Sequence, residues 1–348
     1  MRSIQFIFRL GFFIACYFNS GWFIGGNPIF AQTTAGNAVF QFLKLPKSAK
    51  TTSLGGLNIS SIGNDLGLAM TQPALLSTEL DGELQVSVKP YFAGIQQYDL
   101  NGANTLKSDW VVGWGVHFMD YGNIAQTDII GNEYGSINPN EYSIQVGIAK
   151  TYQEYFHFGT QLKFIQSNYG PYRSNGIAMD VGVSYLAPNG LSQLSVLLQN
   201  VGTQLKYFQV KEELPLNLIL GWSKKLANAP LQFSVTAERL SVWNDYYYDM
   251  DFYNAEGYKK PGSLQNLFNH LIVGSQLYIG QSFELDLGYH FARRFELNLP
   301  NQPNSLNGIS AGFSFPYKRV QFQYGTGFFQ RNNYHHFTLQ YALKQKDY

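Results

Sequence analysis

The residues of this chain whose types could do chemistry are its six histidines, a few acids spaced like ligands and one glycine pair. A metal centre needs histidines, cysteines or carboxylates clustered at ligand spacing. His117, His157, His270, His290, His335 and His336 are scattered instead. His335 and His336 are adjacent, so on a strand they point to opposite faces. His290 follows Glu284 and Asp286 at period two, which places all three on one strand face. That face reads as a lumen polar network more readily than as a metal-like cluster, so no metal is expected. Asp249, Asp251 and Glu256 lack the spacing of an EF-hand calcium loop. Acyl hydrolysis needs Ser or Thr beside His and an acid. There is no G-x-S-x-G elbow, and a triad assembled across strands would leave no local motif. The pair Gly55-Gly56 lacks the lysine and the strand-to-helix setting of a phosphate loop, so it reads as closely packed backbone.

The elements that must position these residues are strands. Leu231, Phe233, Val235 and Ala237 share one face of their segment, and Gln232, Ser234, Thr236 and Glu238 share the other. Phe283, Leu285, Leu287, Tyr289 and Phe291 oppose Glu284, Asp286, Gly288 and His290 in the same way. Segments 142–148, 179–185, 216–222, 309–315, 320–324 and 337–343 follow the same rule. A soluble sandwich also alternates. Here one face is rich in Phe, Tyr and Leu over about ten residues, as in strands that meet lipid outside and a polar or plugged lumen inside.

Composition agrees with that assignment. Aromatic residues make up 16% of the 348 residues and charged residues only 14%, against about 25% charged in an average globular domain. Mean hydropathy is −0.17. Beyond the N-terminal segment no apolar run reaches the roughly 18 residues of a spanning helix, a test that a transmembrane barrel escapes.

The N-terminus reads as a secretory signal over residues 1–31, with Arg2 and Arg9, an apolar run and a cleavage point after Ala31. Its removal takes two of 24 basic residues and none of the 23 acidic ones, which leaves the chain near neutral and without the basic patch that nucleic acid requires. Cys16, the single cysteine, lies inside the signal and reads as apolar filler more readily than as a lipidation site. The mature chain then has no disulfide and no cysteine nucleophile.

Connection lengths alternate. Short turns are expected at 101–104, 151–155, 188–190, 227–230, 280–281 and 316–318, and long connections at 122–140, 169–174, 202–214, 244–266 and 293–305. About fourteen strands result, with both barrel ends on the short-turn side, as in bacterial outer-membrane barrels. Tyr246, Tyr247, Tyr248, Tyr253 and Tyr258 crowd one long connection. They read equally as a partner-binding surface or as an aromatic girdle. The stretch 49–76 stands apart from this pattern: it is rich in glycine and small residues and does not alternate.

That stretch carries a resemblance. Ser53-Leu54-Gly55-Gly56, then Asn64-Asp65-Leu66, then Gln72-Pro73-Ala74-Leu75-Leu76 resembles the N-terminal plug of FadL-like outer-membrane proteins, with Gln72 where the family usually has Asn. The retained amide leads us to expect the same turn. The run Gly36–Pro46, Asp120-Tyr121-Gly122, Thr127-Asp128, Gly131-Asn132, the run Leu198–Leu205 and Leu214-Pro215 are similar to the PorV/PorQ group of Bacteroidota type IX secretion barrels, in particular to PorQ-type proteins.

The resemblance implies an all-β, transmembrane antiparallel barrel of about fourteen strands, with residues 32–82 as plug and 83–348 as barrel. It places Gly55, Gly56, Asp65, Gln72, Pro73 and Ala74 in the plug motif. It also implies an outer-membrane location with loops facing the exterior, no catalysis and no cofactor. The implied role is in an attachment complex that holds a PorZ-like surface protein and works with the sortase PorU and with PorV to join cargo to lipopolysaccharide. The alternative is a FadL-like transporter of fatty acids or other hydrophobic compounds.

Overall fold

A period-two pattern with apolar and polar faces can bury both only if the sheet has two different environments, and closure into a barrel provides them. The computed structural model of the chain describes residues 38–243, 262–280, 283–297, 306–329 and 332–344. Its strands are β1 (Glu83–Pro90), β2 (Gln96–Thr105), β3 (Trp110–Asp120), β4 (Ile124–Thr127), β5 (Glu133–Ile137), β6 (Asn140–Tyr152), β7 (Phe156–Tyr169) and β8 (Tyr172–Leu186). There follow β9 (Ser192–Lys206), β10 (Asn217–Lys225), β11 (Leu231–Ala237), β12 (Leu271–Ile279), β13 (Phe283–His290), β14 (Ile309–Tyr317), β15 (Val320–Phe329) and β16 (Asn332–Ala342).

Fourteen of them form one closed antiparallel barrel, and β4 and β5 form a separate two-stranded sheet. Strand β1 closes the wall against β16, from Glu83 opposite Ala342 to Val88 opposite Phe337. No sheet edge is left in the wall, which is the condition for strands to stand in lipid.

The wall is inverted relative to a water-soluble protein. On β6, Ile144, Val146 and Ile148 are exposed outward, whereas Ser143 and Gln145 are buried inward. On β13 the exposed side chains are Phe283, Leu285 and Leu287, and the buried ones are Glu284, Asp286 and His290. Among the described residues no helix is long and apolar enough to cross a membrane.

One end of the barrel carries short connections, 106–109, 153–155, 187–191, 226–230 and 318–319, and both the start of β1 and the end of β16. The other mouth carries 121–139, 207–216 and the described ends of two longer connections, 238–243 with 262–270 and 291–297 with 306–308. Three connections differ from expectation, one of them 202–214, whose residues 202–206 belong to β9 and pair with β8. The expected turn at 101–104 is the middle of β2, where Asn101 and Ala103 face inward and the turn follows at 106–109. The expected long connection at 169–174 is a two-residue turn, Gly170-Pro171, because Gly170 takes φ 62° and Tyr169 pairs directly with Tyr172.

Residues 38–82 occupy the interior. The chain enters at the mouth with the long connections, where Ala38 bridges Glu213 and Val39 N donates to Glu213 O at 3.0 Å. It forms a 3-10 turn (Gln41–Lys44), helix α1 (Ala49–Ser53), helix α2 (Leu66–Ala69) and 3-10 turns at Pro73–Leu75 and Thr78–Leu80, then reaches β1 at the short-turn end. Helices α3 (Ser263–Asn269) and α4 (Phe291–Glu296) lie in the long connections.

Three apolar clusters seat the luminal segment. Phe40, Phe42 and Leu43 pack with Met119, Ile165, Ala178 and Leu214. Ile59 packs with Leu197 and Ile219. Leu66, Ala69, Met70, Leu76 and Leu80 pack with Ala103, Val111 and Ala149.

Candidate functional site

The site that the fold builds is the contact between residues 38–82 and the inner wall. Helix α1 starts because the Ser48 side chain accepts from Thr51 N, and its small residues allow a close approach to the wall. Lys50 Nζ lies 2.9 Å from a Glu284 carboxylate oxygen, and Ser53 Oγ donates to Asp286 Oδ2 at 2.9 Å. Thr52 Oγ1 is 2.9 Å from His336 Nδ1, and Ala49 N donates to Thr338 Oγ1 at 2.9 Å. Further on, Asn58 bonds Ser234, Ser60 bonds Ser223, and Ser61 bonds Gln276. Lys47 Nζ donates to Gln145 Oε1 at 2.7 Å on the far side.

Burial alone would lower the Lys50 ammonium pKa, but Glu284, Asp286 and Asp65 outweigh it and raise the group above its ordinary value. Lys47 has no such acid in contact. Burial and then the nearby Lys163 charge push its ammonium down to about 7.

Glycines on the wall make room for this segment. A Cβ on Gly312 of β14 would stand 2.5 Å from Ser53 Cβ, and one on Gly159 of β7 would stand 2.5 Å from Ala74 N. Gly274 of β12 pairs with Gly288 of β13, and Gly312 of β14 pairs with Gly325 of β15, two offset glycine pairs under the segment, with Ser310 opposite Gly288.

Gly55 and Gly56 end α1 with φ of 95° and 96° and pass beside Ile272 and Arg293. Asp65 caps α2 by accepting from Leu68 N at 2.9 Å and accepts from Gln323 Nε2 at 2.6 Å. Pro73 and Ala74 rest on β7. Gln72 makes no side-chain cap bond at its turn; its amide donates to Val196 O of β9 at 3.0 Å, so its role is a contact with the wall.

The expected network of Glu284, Asp286 and His290 divides in two. Glu284 and Asp286 are joined through α1, whereas His290 Nε2 lies 3.2 Å from Glu238 Oε1 just beyond β11. Burial opposes ionisation of Glu238, but the His290 hydrogen bond, with Arg239 and Arg293, holds its carboxyl down to about 2. Tyr246, Tyr247, Tyr248, Tyr253 and Tyr258 lie outside the described residues.

Two features escaped the sequence pattern. Asn200, with φ 61°, forms a bulge in β9: its N donates to Asp180 Oδ1 at 2.8 Å, and Lys163, ion-paired with Asp180 at 2.5 Å, donates to Asn200 Oδ1 at 2.9 Å. Asp99, His117 and Ser143 sit in register on β2, β3 and β6, with His117 Nδ1 2.6 Å from Asp99 Oδ1. The Phe42 ring stacks on His117 at 5.3 Å, and neither Ser143 Oγ nor His117 Nε2 has a hydrogen-bond partner, so they are not bonded to each other. The alternating pattern could have placed these three inside but could not join them. Among the described residues no group of three or more His, Cys, Asp or Glu is placed to hold a metal ion.

Two cavities beside the luminal segment are lined mainly by polar and charged side chains. One of about 40 Å³, bordered by Lys47, Glu238, His290 and Arg293, has room for about three waters. A cleft of about 1000 Å³ at the short-turn end is bordered by Glu79, Asp81, Glu83, Lys318, Arg319 and Lys344.

No protein-family model matches the chain, and no curated protein sequence matches it. Solved structures do. A monoaromatic hydrocarbon channel, TodX with its S2 deletion, shares 13% identity over 85% of this chain and 97% of its own at a TM-score of 0.53. The Pseudomonas putida toluene transporter TodX shares 14% identity over 86% and 97% at 0.50. The monoaromatic hydrocarbon channel CymD shares 14% over 85% and 96% at 0.51. The fold is therefore that of the FadL-like outer-membrane β-barrels. At these identities the likeness concerns the fold alone.

Proposed function

We propose that the protein is a closed outer-membrane anchor of the PorQ type, which holds a PorZ-like surface partner at the mouth with the long connections. The observation that carries this reading is the lumen. The wall is continuous, residues 38–82 span the interior from mouth to mouth, and they are bonded to β2, β6 and β9–β16 by polar contacts, nearly all of them buried. Such a lumen opposes passage of an apolar solute, because every displaced contact exposes a buried polar group. The residue landmarks of the type IX group supply the particular assignment, with PorU and PorV as the further members of the complex and lipopolysaccharide as its acceptor. Residues 1–31 are then a removed signal and the long connections face the cell exterior.

The second reading is a channel for hydrophobic compounds. The comparisons favour it over the type IX assignment, for which they supply no support: the solved barrels of this fold named above are described as hydrocarbon channels or a toluene transporter. The apolar cluster of Phe40, Phe42, Leu43, Met119, Ile165 and Leu214, near the mouth where the luminal segment enters, is the feature that fits it. One pair of measurements decides. The anchor reading expects no uptake of a hydrophobic fluorophore by proteoliposomes and co-purification of a PorZ-like partner that falls when connections 207–214, 244–266 and 293–305 are shortened, residues 202–206 being left in place as part of β9. Saturable uptake without any partner would overturn it.

A further inference from the structure

The long connection expected over 122–140 spans 121–139 and folds as a hairpin with a fixed base and a fixed tip. Strands β4 and β5 pair from Ile124 opposite Ile137 to Thr127 opposite Glu133. At the base, Tyr121 OH donates to Glu141 Oε2 at 2.5 Å, and the other oxygen accepts from Ser167 Oγ at 2.8 Å. Tyr121 N donates to Pro139 O at 3.1 Å, and Ile137 packs over Gly170 of the neighbouring turn.

At the tip, the Asp128 carboxylate accepts from Ile130 N at 3.0 Å, Asn132 N at 2.8 Å and Asn132 Nδ2 at 3.0 Å. The turn so held presents Ile129 and Ile130 at 104% and 78% exposure, and Tyr134 is exposed beside them. The sheet has two strands, so among the described residues each has an outer edge with no neighbouring strand.

We propose that this hairpin docks a surface protein whose apolar pocket, rimmed by basic side chains, receives Ile129 and Ile130. The proposal rests on the anchor reading above. Charge selects the occupant: 121–139 contains Asp128 and Glu133 and neither Lys nor Arg. An anionic lipid surface recruits basic segments and repels this one, whereas a basic protein rim complements it. The turn is already ordered, so little freedom is lost on docking, and a rigid apolar tip is the kind of feature that dominates an interface. The outer edges add main-chain donors and acceptors for strand addition by the same partner.

The test uses the full chain, affinity-tagged and extracted from its native outer membrane, as wild type, I129D/I130D and Glu133→Lys. Heat-modifiable gel mobility reports the barrel, which these exposed positions leave intact. The expected result is a surface partner recovered with the wild type, a loss of about tenfold or more with I129D/I130D, and weaker, less salt-sensitive recovery with Glu133→Lys. A photo-crosslinking residue at position 130 links to that same partner. Undiminished recovery with I129D/I130D, or crosslinks confined to lipid or to a second copy of this chain, overturns the hairpin proposal while the anchor reading stands. If the wild type recovers no partner, the anchor reading falls and the hairpin proposal with it.

Discussion

Gly288 of β13 and Gly55 of the luminal segment meet backbone to backbone. A Cβ on Gly288 would fall inside contact distance of Gly55 N and 2.5 Å from the Leu54 carbonyl carbon. Neither atom belongs to a flexible side chain, so the segment must move. Gly288→Ala is therefore expected to cost about 1–3 kcal/mol by overpacking and to lift α1 from the wall. In proteoliposomes this reads as small-ion leakage, with a proteolytic cut appearing in 49–60. Gly262→Ala, where an added Cβ meets nothing within 4 Å, serves as the control. Equal behaviour of the two variants would show that the close approach does not hold the lumen shut.

The ion pair of Lys50 with Glu284 is nearly buried, with side chains 9% and 11% exposed. Removing one partner leaves the other charge without compensation, so Lys50→Met is expected to destabilise the protein by about 3–5 kcal/mol. Lys50→Met with Glu284→Gln removes both charges and recovers most of that loss. Urea unfolding in detergent, followed by tryptophan fluorescence, measures both. If the double variant is as unstable as the single one, the coupling lies elsewhere.

Glu238 supplies a pH dependence. Its folded pKa of about 2 lies below the ordinary 4.5, so between those values the unfolded chain binds the extra proton. Its contribution is complete above about pH 4.5 and is lost as pH falls towards 2, with a size on the order of 3 kcal/mol. The Tm difference between wild type and Glu238→Gln should therefore be large at pH 6 and shrink steadily towards pH 2.5. A difference independent of pH would mean that the carboxylate charge plays no part.

What the sequence disclosed follows from the inversion of the wall. Phe283 to His290 alternates without interruption because lipid and lumen impose opposite demands at each step, and that pattern gave the strands and their number. The same inversion accounts for Asn101–Asn104: Asn101, a polar residue that suggests a turn in a soluble protein, here faces the lumen, and Asn104 is exposed on the same strand. Gly170-Pro171 looked like part of a loop because period-two patterns fade near a mouth, where no environment selects a face. Glu284 and Asp286 could be placed inside, but Lys50 lies 234 residues away from Glu284, and no local pattern spans that distance. The β4–β5 hairpin was hidden because both its faces are exposed and its residues carry no alternation.

Gln72 tests how much of the closure is carried by a single wall contact. The resemblance of 72–76 to FadL-like plugs, with Gln72 in place of Asn, implies a shared turn through the common amide. The turn forms without the side chain: Gln72 has no cap bond, and Leu75 N donates to Gln72 O at 2.9 Å. The longer side chain instead runs over Gly182 of β8, where a Cβ would stand 2.8 Å from Gln72 Cδ, and reaches Val196 O of β9. Asn is one methylene shorter and cannot span that distance from the same backbone. Gln72→Asn is thus expected to keep the turn and lose the bond, at about 1 kcal/mol, whereas Gly182→Ala evicts the side chain altogether. Combining the two should cost less than the sum, because Asn no longer occupies the space above position 182. A double-mutant cycle on unfolding free energy measures that coupling, and strict additivity would show that Gln72 does not use the room that Gly182 provides.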